Sequence, residues 1–195
     1  MKKLLILSFI FIQFLPGSAQ NMKLKTPSLG VSFFLNDFQA AADVRSQGIA
    51  SVINQHHLLQ TSRMNPGVAI NYIQGISNHL DFVGTFGGSF TKFQNDNIGQ
   101  LSDNHFLLEA TANINFKLLP DNYALVPFAD LGLGASKYIG YYGAFSPVGL
   151  GLQLKLFDQS YLILNSQYRI PVTNNVNYHF YHAITFVANL SEKKK

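Results

Sequence analysis

From Phe106 to Leu118 the chain alternates without a break. Phe106, Leu108, Ala110, Ala112, Ile114, Phe116 and Leu118 form one set, and Leu107, Glu109, Thr111, Asn113, Asn115 and Lys117 form the other. Period two marks a β-strand, because successive side chains point to opposite faces. Val148 to Leu156 repeats the pattern, with Val148, Leu150, Leu152, Leu154 and Leu156 against Gly149, Gly151, Gln153 and Lys155. Tyr161 to Ile170 does so again, with Leu162, Leu164, Tyr168 and Ile170 opposing Asn165, Gln167 and Arg169. Five noisier segments follow the same rule, around Val31–Leu35, Val68–Tyr72, Phe82–Phe90, Leu125–Leu133 and Phe180–Leu190, where His182 breaks the apolar set. Eight strands result, an even number.

The links between them sort by length. Gly75 to His79, Pro120 to Asn122 and Asp158 to Ser160 are short and rich in turn residues. At the other end lie Asp37 to Asn65, Gln94 to Asn104, Gly140 to Gly143 and Pro171 to Asn177, mostly longer. Short turns at one rim and long loops at the other predict an all-β, eight-stranded antiparallel up-and-down transmembrane β-barrel with both termini periplasmic. A soluble lipocalin-like barrel is the rival, but it hides its apolar set and exposes its polar one. Here the polar set, with Glu109, Asn113, Lys117, Gln153, Lys155 and Arg169, suits a narrow interior. Aromatic residues gather near both strand ends (Phe106, Tyr138, Tyr168 and Phe180 at the loop rim, Phe82, Phe116, Tyr161 and Phe186 at the turn rim), as two interfacial belts require.

Composition agrees with lipid. Charged residues are 12% of the 195 positions, aromatics 13%, and Trp is absent; the charged share is about half that of a soluble domain. After the leader no apolar run is long enough for a membrane helix, and a closed barrel is then the other structure that satisfies its backbone in lipid. The formal charge of +4 belongs to the chain's ends, Lys2-Lys3 and Lys193-Lys194-Lys195, leaving a nearly neutral body. No basic face marks a nucleic-acid partner.

Residues 1–19 read as a secretory signal peptide: a positive start, an apolar run from Leu4 to Leu15, then Pro16 and the small residues Gly17-Ser18-Ala19. The run is too short to span the bilayer. Residues 20–195 then form one barrel domain in the outer membrane of a Gram-negative bacterium. Its expected partners are outer-membrane lipid, lipopolysaccharide and the barrel-assembly machinery. With no Cys in the chain, lipidation and disulfides are excluded.

With these segments in place, the chain resembles the N-terminal eight-stranded barrel domain of the outer-membrane protein A family. The likeness rests on the eight-segment pattern and on stretches such as Val31-Ser-Phe-Phe-Leu-Asn-Asp-Phe38, Asn71-Tyr-Ile-Gln-Gly-Ile-Ser-Asn-His-Leu-Asp-Phe82 and Leu131-Gly-Leu-Gly134. Family members often add a periplasmic peptidoglycan-binding domain; this chain stops five residues after its last strand segment, and that domain is not expected.

Six residues are expected to form a lumen charge network: Asp81, Glu109, Lys117, Asp130, Lys155 and Arg169. Asp81 and Lys117 fall near the turn rim of adjacent strands, Asp130 and Lys155 on another adjacent pair with Asp130 higher, and Glu109 and Arg169 in the upper half on non-neighbouring strands. Buried charges need partners, so a structural plug is favoured over an ion path. A rim-active lipid-modifying enzyme using His105 or His179 with Ser102 or Ser146 is a further alternative, but no tight His–Ser spacing supports it. Leu131-Gly-Leu-Gly-Ala-Ser-Lys137 lacks phosphate-loop spacing. The histidines form no ligand pattern, and neither cofactor nor metal is expected. The long segment 38–64, with Ile49, Val52, Ile53 and Leu58 or Leu59 at helical spacing, predicts a short amphipathic helix, dispensable for folding and available to an extracellular partner.

Overall fold

The computed structural model describes residues 24–54, 60–91, 105–157 and 160–190. Eight antiparallel strands follow one another round a closed barrel. They are β1 (Ser28–Asp37), β2 (Asn65–Ser77), β3 (Leu80–Thr91), β4 (His105–Lys117), β5 (Leu125–Tyr138), β6 (Tyr141–Phe157), β7 (Ser160–Pro171) and β8 (His179–Asn189). β1 closes the sheet by pairing with β8 from Ser28↔Asn189 to Asp37↔Phe180. Closure removes the unpaired edge that an open sheet would present to lipid.

The alternation divides inside from outside as the sequence implies. On β4 the set containing Glu109, Asn113 and Lys117 is buried, while Phe106, Ala110 and Phe116 are exposed. The outer wall is apolar on every strand, with Leu133 71% and Leu150 70% exposed at its middle. A soluble barrel could not keep such a wall in water, so the lipocalin-like alternative fails. Among the described residues no helix is long and apolar enough to cross a membrane; the strands cross it. Inside, large side chains face small ones. The Phe128 ring on β5 fills the space over Gly151 on β6, and a Cβ there would collide with it. A narrow eight-stranded interior is packed in this way.

Two connections depart from expectation. The β5–β6 link is a two-residue turn, Ile139–Gly140, with φ of 48° and 83°. Positive φ at both centres matches the right-handed strand twist. Tyr141 to Gly143, expected in the loop, therefore belong to β6.

The described part of the first long segment is packed over residues 38–54. Helix α1 (Phe38–Gln47) begins directly after β1, and the Asp37 carboxylate accepts from the Ala40 N–H at 2.8 Å to cap it. Helix α2 (Ile49–Asn54) follows; Leu58 and Leu59, at the far end of the helical pattern, lie outside the described residues. Ala40, Ala41 and Val52 are fully buried, while Ile49 and Ile53 stay exposed. Phe38 enters the loop-end mouth against Leu107 and Tyr138 and stacks on His179 at 4.6 Å. The segment is thus a lid, and its small apolar residues are core. The signal peptide expectation, residues 1–19, lies outside the described residues.

Candidate functional site

The lumen holds two charge clusters, one at each end. At the turn end Lys117 on β4 meets Asp81 on β3 at 2.8 Å and Asp121, in the β4–β5 turn, at 2.6 Å. Lys25 enters from the segment preceding β1. Its ammonium lies 2.6 Å from Asp81 and 3.3 Å from Asp121, donates to Gln153 Oε1 at 2.6 Å, and sits 5.0 Å above the Tyr161 ring. Gln153 in turn donates to Asp121 at 2.9 Å. Two lysines and two aspartates form a closed, formally neutral ring, so each buried charge has two partners of opposite sign. The Gly75 N–H donates to the Lys25 carbonyl at 3.2 Å and fixes the segment that brings Lys25 inside.

Asp121 is the member of this ring nearest water. Burial disfavours its charge, but the Lys25 and Lys117 ammoniums and the Gln153 amide together outweigh burial and hold its carboxyl below the usual carboxylate range. A folded pKa below the unfolded one adds stability that is present above the unfolded value, about 3.9, and lost as pH falls through the folded one. Urea midpoints measured from about pH 5 down to about pH 2 should therefore fall with acid, and Asp121→Asn should flatten that slope. Equal slopes for the two proteins would remove Asp121 from the ring's energetics.

At the loop end Glu109 on β4 takes a 2.7 Å ion pair from Arg169 on β7, crossing the lumen between strands that are not neighbours. The Glu109 carboxylate also accepts from Asn36 on β1 at 3.2 Å and lies 3.2 Å from His179 Nε2. The Arg169 guanidinium lies over the Tyr181 ring at 3.8 Å and near the Phe145 ring at 5.1 Å. Phe38 of the lid covers His179 from above.

The expected Asp130–Lys155 pair does not form. Asp130 stands opposite Gly149 on β6, and Lys155 is level with Tyr161, about 20 Å further along the strand at ordinary β rise. The Asp130 carboxylate accepts instead from the amides of Asn165 and Gln167 on β7. Lys155 is half-buried near the turn end of β6. The strands are adjacent and Asp130 is the higher of the two, as the sequence implies; the offset between them is too long for an ion pair.

Between the clusters a cavity of about 30 Å³ is lined by Asn71, Thr85, Asn113, Asn115, Gln167 and Thr185, among others. That is room for about one water. A ladder of short polar contacts runs along its wall: Thr185 to Ser32 at 2.6 Å, Asn71 to Ser32 at 2.6 Å and Thr85 to Asn71 at 2.8 Å. The interior is a filled polar core.

The residues weighed for rim catalysis do not assemble. His179 is inside the lumen on Glu109, His105 packs edge-on against Tyr138 at 6.2 Å, and Ser102 lies outside the described residues. The Ser146 hydroxyl donates to the Gly132 carbonyl at 2.9 Å, beside Pro147, which has no N–H to give. Among the described residues no three His, Asp or Glu side chains converge as metal ligands. Sequence reasoning missed Lys25, Asp121 and Asn36, and put His179 at the rim where the structure has it in the lumen on Glu109. Lys25 and Asp121 lie outside any alternating run. It also missed a Ser166–His182 contact of 2.9 Å on the outer wall, which exists only through the β7–β8 register.

No family model and no curated protein matches the chain. Solved structures do. The outer membrane protein OprG from Pseudomonas aeruginosa aligns at a TM-score of 0.53 with 10% identity, covering 85% of this chain and 94% of that one. The N-terminal β-barrel domain of OprF from Pseudomonas aeruginosa aligns at a TM-score of 0.50 with 9% identity, covering 85% and 98%. At such identities the likeness is one of fold. The chain has the fold of the outer-membrane protein A-type eight-stranded outer-membrane barrels.

Proposed function

We propose that this protein is a sealed, non-enzymatic barrel of the Gram-negative outer membrane that contributes to envelope integrity and presents its lid segment, residues 38–64, at the cell surface. The observation that carries this reading is the pair of charge-compensated clusters that fill the lumen at both ends, with space for about one water between them. Opening a path for ions would leave Glu109 or Asp81 buried without its cation, which costs several kcal/mol. The turn end, with both termini, faces the periplasm, and the lid faces outward, as the distribution of short turns and long loops suggests. Its surroundings are outer-membrane lipid and lipopolysaccharide, and it reaches them through the barrel-assembly machinery.

Envelope fractionation with surface proteolysis tests the placement. The barrel should co-purify with outer membranes, and protease added to intact cells should reach only the loop end. Cells lacking the protein should admit detergents and large antibiotics more readily. Recovery in the inner membrane, or cleavage at the turn end of intact cells, would overturn the reading.

A further inference from the structure

Among the described residues, Asp130 is the lumen carboxylate that stands in no ion pair. Asp81, Asp121 and Glu109 each meet a lysine or an arginine directly. Arg169 is the cation whose charge reaches Asp130, and it is already bound to Glu109 at 2.7 Å. A carboxylate buried inside a membrane barrel is costly without a counter-charge.

Around it lie oxygens that no donor satisfies. Asp130 Oδ2 accepts from the Asn165 and Gln167 amides. An amide that gives its NH2 group to a carboxylate turns its own oxygen elsewhere. Those two oxygens, Asn165 Oδ1 and Gln167 Oε1, are buried without a partner, and so are Asp130 Oδ1 and Asn113 Oδ1. Asp130, Gln167 and Asn113 are each more than nine-tenths buried. Register brings the four residues together. Gly149 lies between Asp130 on β5 and Gln167 on β7, while Gly132, one lumen position above Asp130, lies opposite Asn113 on β4. These two glycines leave hollows in the wall: a Cβ at Gly149 would strike Asp130 Oδ1, and one at Gly132 would strike Asn113 Oδ1. Asn113, Asn165 and Gln167 line the cavity of about 30 Å³ between the charge clusters, with Arg169 on its loop-ward side.

That space takes one particle of a water's size. A water has two hydrogens, so it would satisfy two of the four acceptors and leave the charge of Asp130 in place. A hard cation prefers oxygen ligands and can face all four, as carbonyl oxygens do when they replace an ion's hydration shell. One carboxylate with three neutral oxygens carries a single negative charge, which a monovalent ion cancels. A divalent ion would leave a buried positive charge beside Arg169. We propose that the lumen binds one dehydrated monovalent cation of sodium size, held by the free oxygens of Asp130, Asn113, Asn165 and Gln167. Amides outnumber acids in this set, which is why no cluster of His, Asp or Glu marks it among the described residues. With the Glu109–Arg169 pair above it and the lysine–aspartate ring below, the ion enters as the barrel closes and stays as a resident.

The experiment refolds the full chain into phosphatidylcholine vesicles in sodium, potassium or choline chloride at one ionic strength and measures urea unfolding midpoints. Zwitterionic lipid keeps headgroup counter-ions out of the comparison. Sodium at ten times its dissociation constant multiplies the folded-to-unfolded ratio about elevenfold, which raises the midpoint by about 0.5–1 M urea. Wild type should show that rise in sodium over choline, saturating with concentration, and a smaller one in potassium. Asp130→Asn should show none, and in choline it should resist urea at least as well as wild type, whose carboxylate there has no counter-ion. Asn113→Leu keeps the charge and removes one oxygen, so it should need more sodium for the same rise. If Asp130→Asn does not fold, Asn113→Leu decides alone. Equal wild-type midpoints in sodium and choline would overturn the site and leave a water in the cavity. A sodium effect that survives unchanged in either variant would overturn it as well.

Discussion

Arg169→Met should destabilise the barrel by about 3–5 kcal/mol, the cost of leaving a buried carboxylate without its cation. Arg169 is 2% exposed and its partner Glu109 is 5% exposed. The Met side chain keeps the stem's packing and removes the 2.7 Å ion pair with Glu109 together with the stacking on Tyr181. The double variant Arg169→Met/Glu109→Leu should recover most of that loss, because exchanging a whole buried pair for apolar groups is often close to neutral. Urea unfolding from vesicles reads both. A single variant within about 1 kcal/mol of wild type would show that the cluster does not compensate a buried charge.

The second large effect is on the other face. Leu150→Arg should cost about 2–4 kcal/mol, as a charge placed against acyl chains near the midplane does. Leu150 is 70% exposed midway along β6, while Gln153 on the same strand is 3% exposed and bonded to Lys25 and Asp121. Gln153→Leu should act by a different route. It removes the acceptor for Lys25 and the donor for Asp121, so its effect should shrink in a background lacking Lys25 to what the lost donor to Asp121 contributes. If Leu150→Arg left stability unchanged, the outer wall would not be facing lipid.

Much of this architecture is legible in the chain, because a barrel wall has two solvents and the period-two pattern records both. β4 shows this best: each lumen residue from Leu107 to Lys117 is polar or buried, and Phe106 and Phe116 stand outward at its two ends. Adjacent-strand pairs at matching height, such as Asp81 with Lys117, follow from strand order and turn length. The size of an offset does not: Asp130 stands too far above Lys155 on the adjacent strand to pair with it, and finds Asn165 and Gln167 instead. Lys25 is invisible for a different reason: it precedes the first strand and reaches its site only because β1 continues alongside Gly75. Helix α1 carries a readable signal, an Asp cap ahead of Gln39-Ala40-Ala41-Ala42, yet its buried face is made of alanines that no hydrophobic pattern brings out. His182 looks like an error in the β8 alternation until Ser166 is placed opposite it by register.

The sealed lumen is the centre of this account, and single-molecule conductance measures it directly. Purified barrel inserted into planar bilayers should show no steady current, with Arg169 and Glu109 closing the loop end and the Lys25–Lys117–Asp81–Asp121 ring closing the turn end. Arg169→Glu, which places two carboxylates together in the lumen, should be the variant that leaks. Stable wild-type currents whose ion selectivity reversed in Arg169→Glu would contradict the plug and make the same residues the lining of a pore.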